Sequence, residues 1–334
     1  MRRAASLWVV LLTLGTAPGM RAADPAGFRQ AVLPVPPRVI PVGDITSYLN
    51  DKHLSSPLGL FFDETARELF LADSRNDLVA IFDAEGMPRF SFGAEAGIVK
   101  PRQVMADEQG RIYVIGADRP EVQIFSYRAE RLGTFPFRDA TGPIQVQPVA
   151  MALSPAGRFL FADQRGGRIL IYDRDWSFVL AFGHPGKGRG AFRAPVGLAV
   201  GPDRAIYVVD RLGVPVQVFS PSGRLLRSWG AHELGDAGFS TPGGVAVDRA
   251  GRVYVADTLR QDVKVFSPDG TFLLNFGGFG GGPGQMAYPV DVAASAAGRL
   301  YVCEKVGARV QLFRIQEGEA PGGKPPAGDR SLAP

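Results

Sequence analysis

Residues Pro242–Gly277 read PGGVAVDRAGRVYVADTLRQDVKVFSPDGTFLLNFG, and they hold four short apolar runs: GVAVD, RVYVAD, VKVF and TFLLNF. Each run has the length and the β-branched and aromatic content of a strand. Arg249-Ala250-Gly251, Asp257-Thr258-Leu259-Arg260 and Pro268-Asp269-Gly270 separate them, and Gly, Pro and Asp there favour tight turns. A small sheet built this way has two apolar faces. It cannot bury either alone and therefore requires neighbours of the same plan.

Those neighbours are present. The proline that opens the unit recurs at Pro57, Pro101, Pro148, Pro195, Pro242 and Pro289, at intervals of 44, 47, 47, 47 and 47 residues. The aromatic residue ending the third run recurs as Phe82, Phe125, Tyr172, Phe219, Phe266 and Phe313. The residue closing the second run is Asp73, Gly116, Asp163, Asp210, Asp257 and Glu304. An aromatic-Gly pair ends the fourth run at Phe92-Gly93, Phe182-Gly183, Trp229-Gly230 and Phe276-Gly277, and GTFPF (Gly133 to Phe137) departs from that rule. A fixed period of this length is the mark of a repeat architecture.

The units resemble the NHL repeat, with its P-x-G-V-A-V-D, G-R-I-Y-V-A-D, R-I-Q-V-F and F-G elements in register over about residues 38–315. The resemblance implies an all-β, six-bladed β-propeller with four-stranded antiparallel blades. The last unit supplies PVDVAAS, RLYVCE and RVQLFRI and then runs out, whereas RVIPVG (Arg38 to Gly43) precedes the first. That segment is expected to complete blade six and close the ring, because an open propeller would expose bare sheet faces. The expected boundaries are an export signal at 1–23, an extended lead-in at 24–37, the propeller at 38–316, and a disordered Gly/Pro-rich tail at 317–334.

The signal reading rests on Arg2-Arg3, the apolar run Leu7 to Ala17 and small residues near Ala22-Ala23. The apolar run is short for a bilayer span. A periplasmic or secreted protein is expected, soluble once the signal is removed. The formal net charge of +4 is too small to demand nucleic acid, and export separates the protein from RNA. Cys303 stands alone and cannot form an internal disulfide; it sits where other units carry small apolar residues, which makes it a buried strand residue.

In such a ring, the turns between the second and third strands and the long loops between blades open on one end, here called the top. The bottom turns are short and generic. Arg75, Arg119, Arg165, Arg211, Arg260 and Lys305 on the top turns predict a positive rim suited to an anionic partner. At the third residue of the first strand, Gly59, Ala150, Gly197 and Gly244 give way to Gln103 and Asp291. Those polar side chains near the axis are candidate ligand contacts, with Glu304 beside them. The repeated acid itself reads as a local turn-fixing residue that accepts N–H groups of the turn that follows it.

The resemblance also admits a metal-dependent lyase or lactonase. His53, His184 and His232 are the only histidines, and Asn50, Asn76 and Asn275 the only asparagines; none falls on an inner strand. The Gly-rich loops Gly183 to Phe192 and Gly277 to Met286 lack the strand-to-helix setting of a phosphate cradle. No cofactor and no catalytic set is expected. The function expected is non-catalytic binding of a protein, peptide or anionic cell-surface ligand through the top face.

Overall fold

The computed structural model describes residues 35–49 and 52–318. The expected export signal, most of the lead-in and the tail from residue 319 lie outside the described residues. Six antiparallel sheets of four strands form the blades, with one further two-stranded ribbon. From the axis outward, blade one comprises Pro57–Asp63, Glu68–Asp73, Leu78–Asp83 and Pro88–Phe92. Blades two to five repeat this order from inner strands Pro101–Ala106, Pro148–Leu153, Pro195–Val200 and Pro242–Val247.

Blade six has Pro289–Ala294, Arg299–Glu304 and Arg309–Gln316 from the chain's end, and its outermost strand is Arg38–Ile45 from the beginning. The pairing runs from Arg38 opposite Gln316 to Ile45 opposite Val310, with an irregularity between Pro41 and Gly43. The ring is thus closed as the incomplete last unit predicted. Pro41 is tolerated because an outermost strand has one unpaired edge.

Burial follows from the alternation along each strand. Every pair of adjacent blades encloses one apolar cluster. Between blades three and four, for example, Val149, Leu160 and Ile169 pack on Leu198, Ile206 and Phe219. At the seam between blades six and one, Tyr301, Cys303 and Leu312 pack on Leu60, Leu69 and Leu71, with Ile45 and Leu54 beside them. Tyr113, Tyr254 and Tyr301 are fully buried, and their hydroxyls donate to Asp107, Asp248 and the Ala84 carbonyl respectively.

Close approach at the axis explains the glycines there. A Cβ on Gly244 would lie 2.7 Å from Asp291 Cα, and one on Gly59 2.8 Å from Gln103 Cα. The backbones of neighbouring inner strands therefore approach too closely there for a side chain.

The acid closing each second strand does more than fix its own turn. Asp73 accepts the N–H groups of Ser55 and Ser56; Asp210 those of Arg193 and Ala194; Asp257 those of Ser240 and Thr241. These donors belong to the loop that arrives from the previous blade. Asp210 and Asp257 also take backbone N–H groups from the following turn, those of Leu212, Gly213 and Arg260, and Asp73 takes the side-chain amide of Asn76. The acid is therefore a clamp between two top segments, each of whose N–H groups the strands leave unpaired. Blade two has Gly116 instead, and there Asp77 of blade one accepts the Lys100 N–H.

Blade two departs less from the rule than its sequence suggested. Phe135 takes the place of the closing aromatic, 4% exposed and packed on Tyr113, Phe159, Phe161 and Tyr172. What is missing is the glycine. Gly183, Gly230 and Gly277 adopt positive φ (88°, 88° and 125°), which Pro136 cannot. The chain instead runs on past Phe137 into a ribbon, Arg138–Asp139 against Gly142–Pro143, before the next blade.

Closure gives a direct test. Ile45 is 4% exposed inside the seam cluster, and Ile45→Ala should cost about 2–4 kcal/mol, read by chemical denaturation, as for other buried aliphatic truncations. A loss below about 0.5 kcal/mol, the size of an exposed surface change, would show that this strand does not hold the ring.

Candidate functional site at the top of the channel

Among the described residues, two cavities open at the top of the ring. One, of about 340 Å³, lies over the axis and is lined by Arg102, Gln103, Arg211, Thr258, Tyr288, Asp291 and Lys305 among others. The other, of about 510 Å³, lies between blades two and three against Arg119, Phe137, Ile144, Val146, Gln164 and Arg165. Arg102 and Ala117 border both. The second cavity sits where Pro136 diverts the chain, so its wall is the extra loop of blade two.

Gln103 and Asp291, named from the sequence as candidate ligand contacts, bond to each other across the axis. Gln103 Nε2 donates to Asp291 Oδ2 at 3.3 Å, and Gln103 Oε1 accepts the Met151 N–H at 3.3 Å. Asp291 also accepts the Leu60 N–H (2.8 Å) and the Val292 N–H (2.9 Å). This bridge joins the inner edges of blades one, two, three and six. The two side chains line both the upper cavity and a smaller one of about 160 Å³ beneath, so they partition the channel. Asp291 is 5% exposed. Burial pushes its carboxyl up to about 7, against the opposing pull of the Leu60 and Val292 N–H groups and the Arg102 charge.

Above the partition, cations gather without partners. Among the described residues, neither Arg102, Arg211 nor Lys305 enters an ion pair. Arg211 makes one long contact, Nε to the Pro242 carbonyl at 3.4 Å. Burial and the neighbouring Arg211 lower the Arg102 guanidinium below its ordinary value, while Asp291 opposes them; burial alone lowers Arg211. Arginine stays charged under these conditions. Two half-buried guanidinium groups that repel one another have the chemistry to receive an anion between them.

The remaining residues named from sequence are dispersed. Glu304 is fully buried and spends its carboxylate on Arg309 Nε (2.8 Å), Gln311 Nε2 (2.6 Å) and the Ala287 N–H (2.7 Å). It is the blade-six clamp and faces no ligand space. Arg119 and Arg165 wall the second cavity, the first beside Glu121 at 3.7 Å and the second bonded to Gln145 at 3.0 Å. Arg260 donates to the Glu233 carbonyl at 2.6 Å, and Arg75 is exposed on the outer turn of blade one. Only Arg211 and Lys305 of the predicted rim reach the axial cavity.

Arg102 was missed, although the signal was present. It is the second residue of the inner strand, a column that reads Leu58, Arg102, Val149, Val196, Gly243 and Val290. The rule that found Gln103 and Asp291, a polar residue where other blades carry an apolar or small one, finds Arg102 one position earlier. His53, His184 and His232 are exposed and border neither top cavity. Among the described residues no three His, Cys, Asp or Glu side chains gather as a metal would require, and none forms a helix long and apolar enough to cross a membrane.

Comparison with known proteins places the architecture. The NHL repeat family model matches residues 239–266, the core of the fifth unit. No curated protein matches the sequence. Among solved structures, a gluconolactonase from Xanthomonas campestris aligns with TM-score 0.59 at 18% identity, covering 84% of this chain and 95% of that one. Virginiamycin B lyase from Staphylococcus aureus aligns with TM-score 0.56 at 10% identity, covering 83% and 99%. Hydrazine synthase from Kuenenia stuttgartiensis gives 0.55 at 12%, covering 80% and 99%. The chain is a six-bladed β-propeller that contains an NHL repeat.

The ionisation of Asp291 should be visible in stability. With an ordinary value of 3.8 and a folded value of about 7, the folded protein holds a proton between about pH 4 and pH 7 that the unfolded chain has released. Stability relative to Asp291→Asn should therefore fall as pH rises through that window and level off above it. Denaturation midpoints of the two proteins that keep a constant difference from about pH 4 to pH 8 would contradict this assignment.

Proposed function

We propose that this protein is an exported, non-catalytic binding propeller that takes an anionic group, a carboxylate or phosphate borne by a larger ligand, at the top of its channel. The observation that carries the reading is the set of unpaired cations, Arg102, Arg211 and Lys305, in one cavity above the Asp291–Gln103 bridge. Thr258 and Tyr288 add hydroxyl groups to the same lining. The adjoining cavity between blades two and three, with Phe137, Ile144 and Val146, would receive the body of the ligand. Export to the periplasm or medium follows from the N-terminal sequence and sets acidic polymers and peptides of the envelope as the available ligands.

A second reading is enzymatic, and Asp291 favours it: a carboxyl poised near neutrality at the axis is suited to proton transfer. The lactonase and lyase names of structural neighbours point the same way. Against it, three N–H donors already engage Asp291. A zinc or calcium ion does not fit the residues present: the axial cavity offers one carboxylate, and the charge beside it is cationic.

Calorimetric titration with citrate, inorganic phosphate and oligogalacturonate checks the binding reading. Arg102→Ala and Arg211→Ala should each weaken the best of these about tenfold or more, as loss of a charged contact does. Affinity should fall as pH rises through about 7, because ionised Asp291 then competes for Arg102, and this dependence should vanish in Asp291→Asn. Wild-type affinities unaltered in both arginine variants would refute the site, and gluconolactone hydrolysis abolished in Asp291→Asn would favour the enzyme.

A further inference from the structure

The top face is not uniform around the ring. The residue two positions after the end of each second strand stands at the tip of its turn, and the six tips are Arg75, Asp118, Arg165, Leu212, Leu259 and Val306. Blades one to three carry charges there; blades four to six carry aliphatic side chains. Leu212 and Leu259 are each 56% exposed and Val306 61%. The loops between these same blades add Leu234 at 94% and Phe279 at 75%.

These residues form one crescent. Arg260, next to Leu259, donates to the Glu233 carbonyl beside Leu234. The Gly278 N–H donates to the Gln261 carbonyl at 2.7 Å, and the Tyr288 N–H to Gln261 Oε1 at 2.7 Å, which tie the Phe279 loop to the Leu259 turn. Arg309 donates to the carbonyls of Gly281 and Gln285, which ties that loop to the Val306 turn. The turn tips occupy one position of the repeat, so ring symmetry sets them at one height.

Large exposed apolar side chains gathered on one face mark a contact surface. Here they do not line a groove: each stands singly on its own loop, and none borders the two top cavities. Exposed Lys187, Arg189 and Arg193 and half-buried Arg260 stand on the loops and turns of this same face, with Arg211 and Lys305 toward the axis, against exposed Glu233 and Asp236. Separate apolar tips on a face with an excess of cations fit a lipid–water interface, where each side chain inserts on its own and phosphate head groups meet the cations. The hydrogen bonds that hold the loops mean that little ordering is left to do on docking.

We propose that this crescent over blades four to six docks the protein on an anionic phospholipid surface. Docking by one half of the top face tilts the ring and leaves the cavity between blades two and three open to the aqueous side. Beside the charged tips of blades one to three, Val99 is exposed to 39%, less than any of the five residues of the crescent.

The test is co-sedimentation of the chain lacking residues 1–23, so that Leu7–Ala17 cannot mimic docking; residues 35–318 hold the whole ring. Wild type should sediment with vesicles of phosphatidylglycerol and phosphatidylethanolamine, and about tenfold less with phosphatidylcholine alone. Leu234→Ser combined with Phe279→Ser, both fully on the surface, should lower binding about tenfold with unchanged melting temperature. Arg102→Ala should retain vesicle binding while losing citrate, which separates this surface from the channel site. Wild type that stays in the supernatant with anionic vesicles, or a double variant that sediments like wild type, overturns the proposal. Cross-linking of wild type, but not of the double variant, to one envelope protein without vesicle binding would assign the crescent to a protein partner and overturn it equally.

Discussion

A blade with two apolar faces is stable only between two others, and so the whole molecule depends on the last blade meeting the first. Contacts at several radii make that junction. At the periphery, Arg38–Ile45 pairs with Arg309–Gln316 and joins the two ends of the described chain in one sheet. At the axis, Asp291 of blade six accepts the Leu60 N–H of blade one. The seam cluster of Leu60, Leu69, Tyr301 and Leu312 lies between them. The aqueous channel, the top loops and both cavities exist because the circle is complete.

That constraint also explains how much was legible in the sequence. Strand number, blade limits and the closing strand followed from the period, because each unit repeats the same solution to the same packing problem. The acid column was legible as structural but not in its wiring. A sequence shows that Asp210 precedes a turn; it does not show that the Arg193 and Ala194 N–H groups, 17 and 16 residues upstream, come to the same carboxylate. Glu304 belonged to that column in the sequence and was also named beside Gln103 and Asp291; its carboxylate is taken up by Ala287, Arg309 and Gln311.

The site was half legible. Gln103 and Asp291 stood out because each replaces a small residue where neighbouring backbones nearly touch, and the structure brings them to 3.3 Å of one another. The cation cluster was less so. Reading top-turn arginines as one rim ignored that successive turn residues point in different directions. The first residue after the clamp faces the axis, as Arg211 and Lys305 do, and the second forms the outer tip. Arg102 escaped because it lies on a strand rather than a turn.

Symmetry limits where a propeller of this kind can acquire function. The inner glycines serve blade contact, the buried aromatics serve the core, and the acid column holds the loops; a change in any of these weakens the ring. The columns left free are those that face the channel mouth and those at the outer tips. In this chain the departures fall there: Arg102, Gln103, Arg211, Asp291 and Lys305 at the axis, and Leu212, Leu259 and Val306 outside. Gly116 is the exception that supports the rule. It gives up the clamp, Asp77 accepts the Lys100 N–H in its place, and beside that turn lies the larger of the two top cavities. Where this structural column is surrendered, a neighbouring carboxylate takes over the lost hydrogen bond.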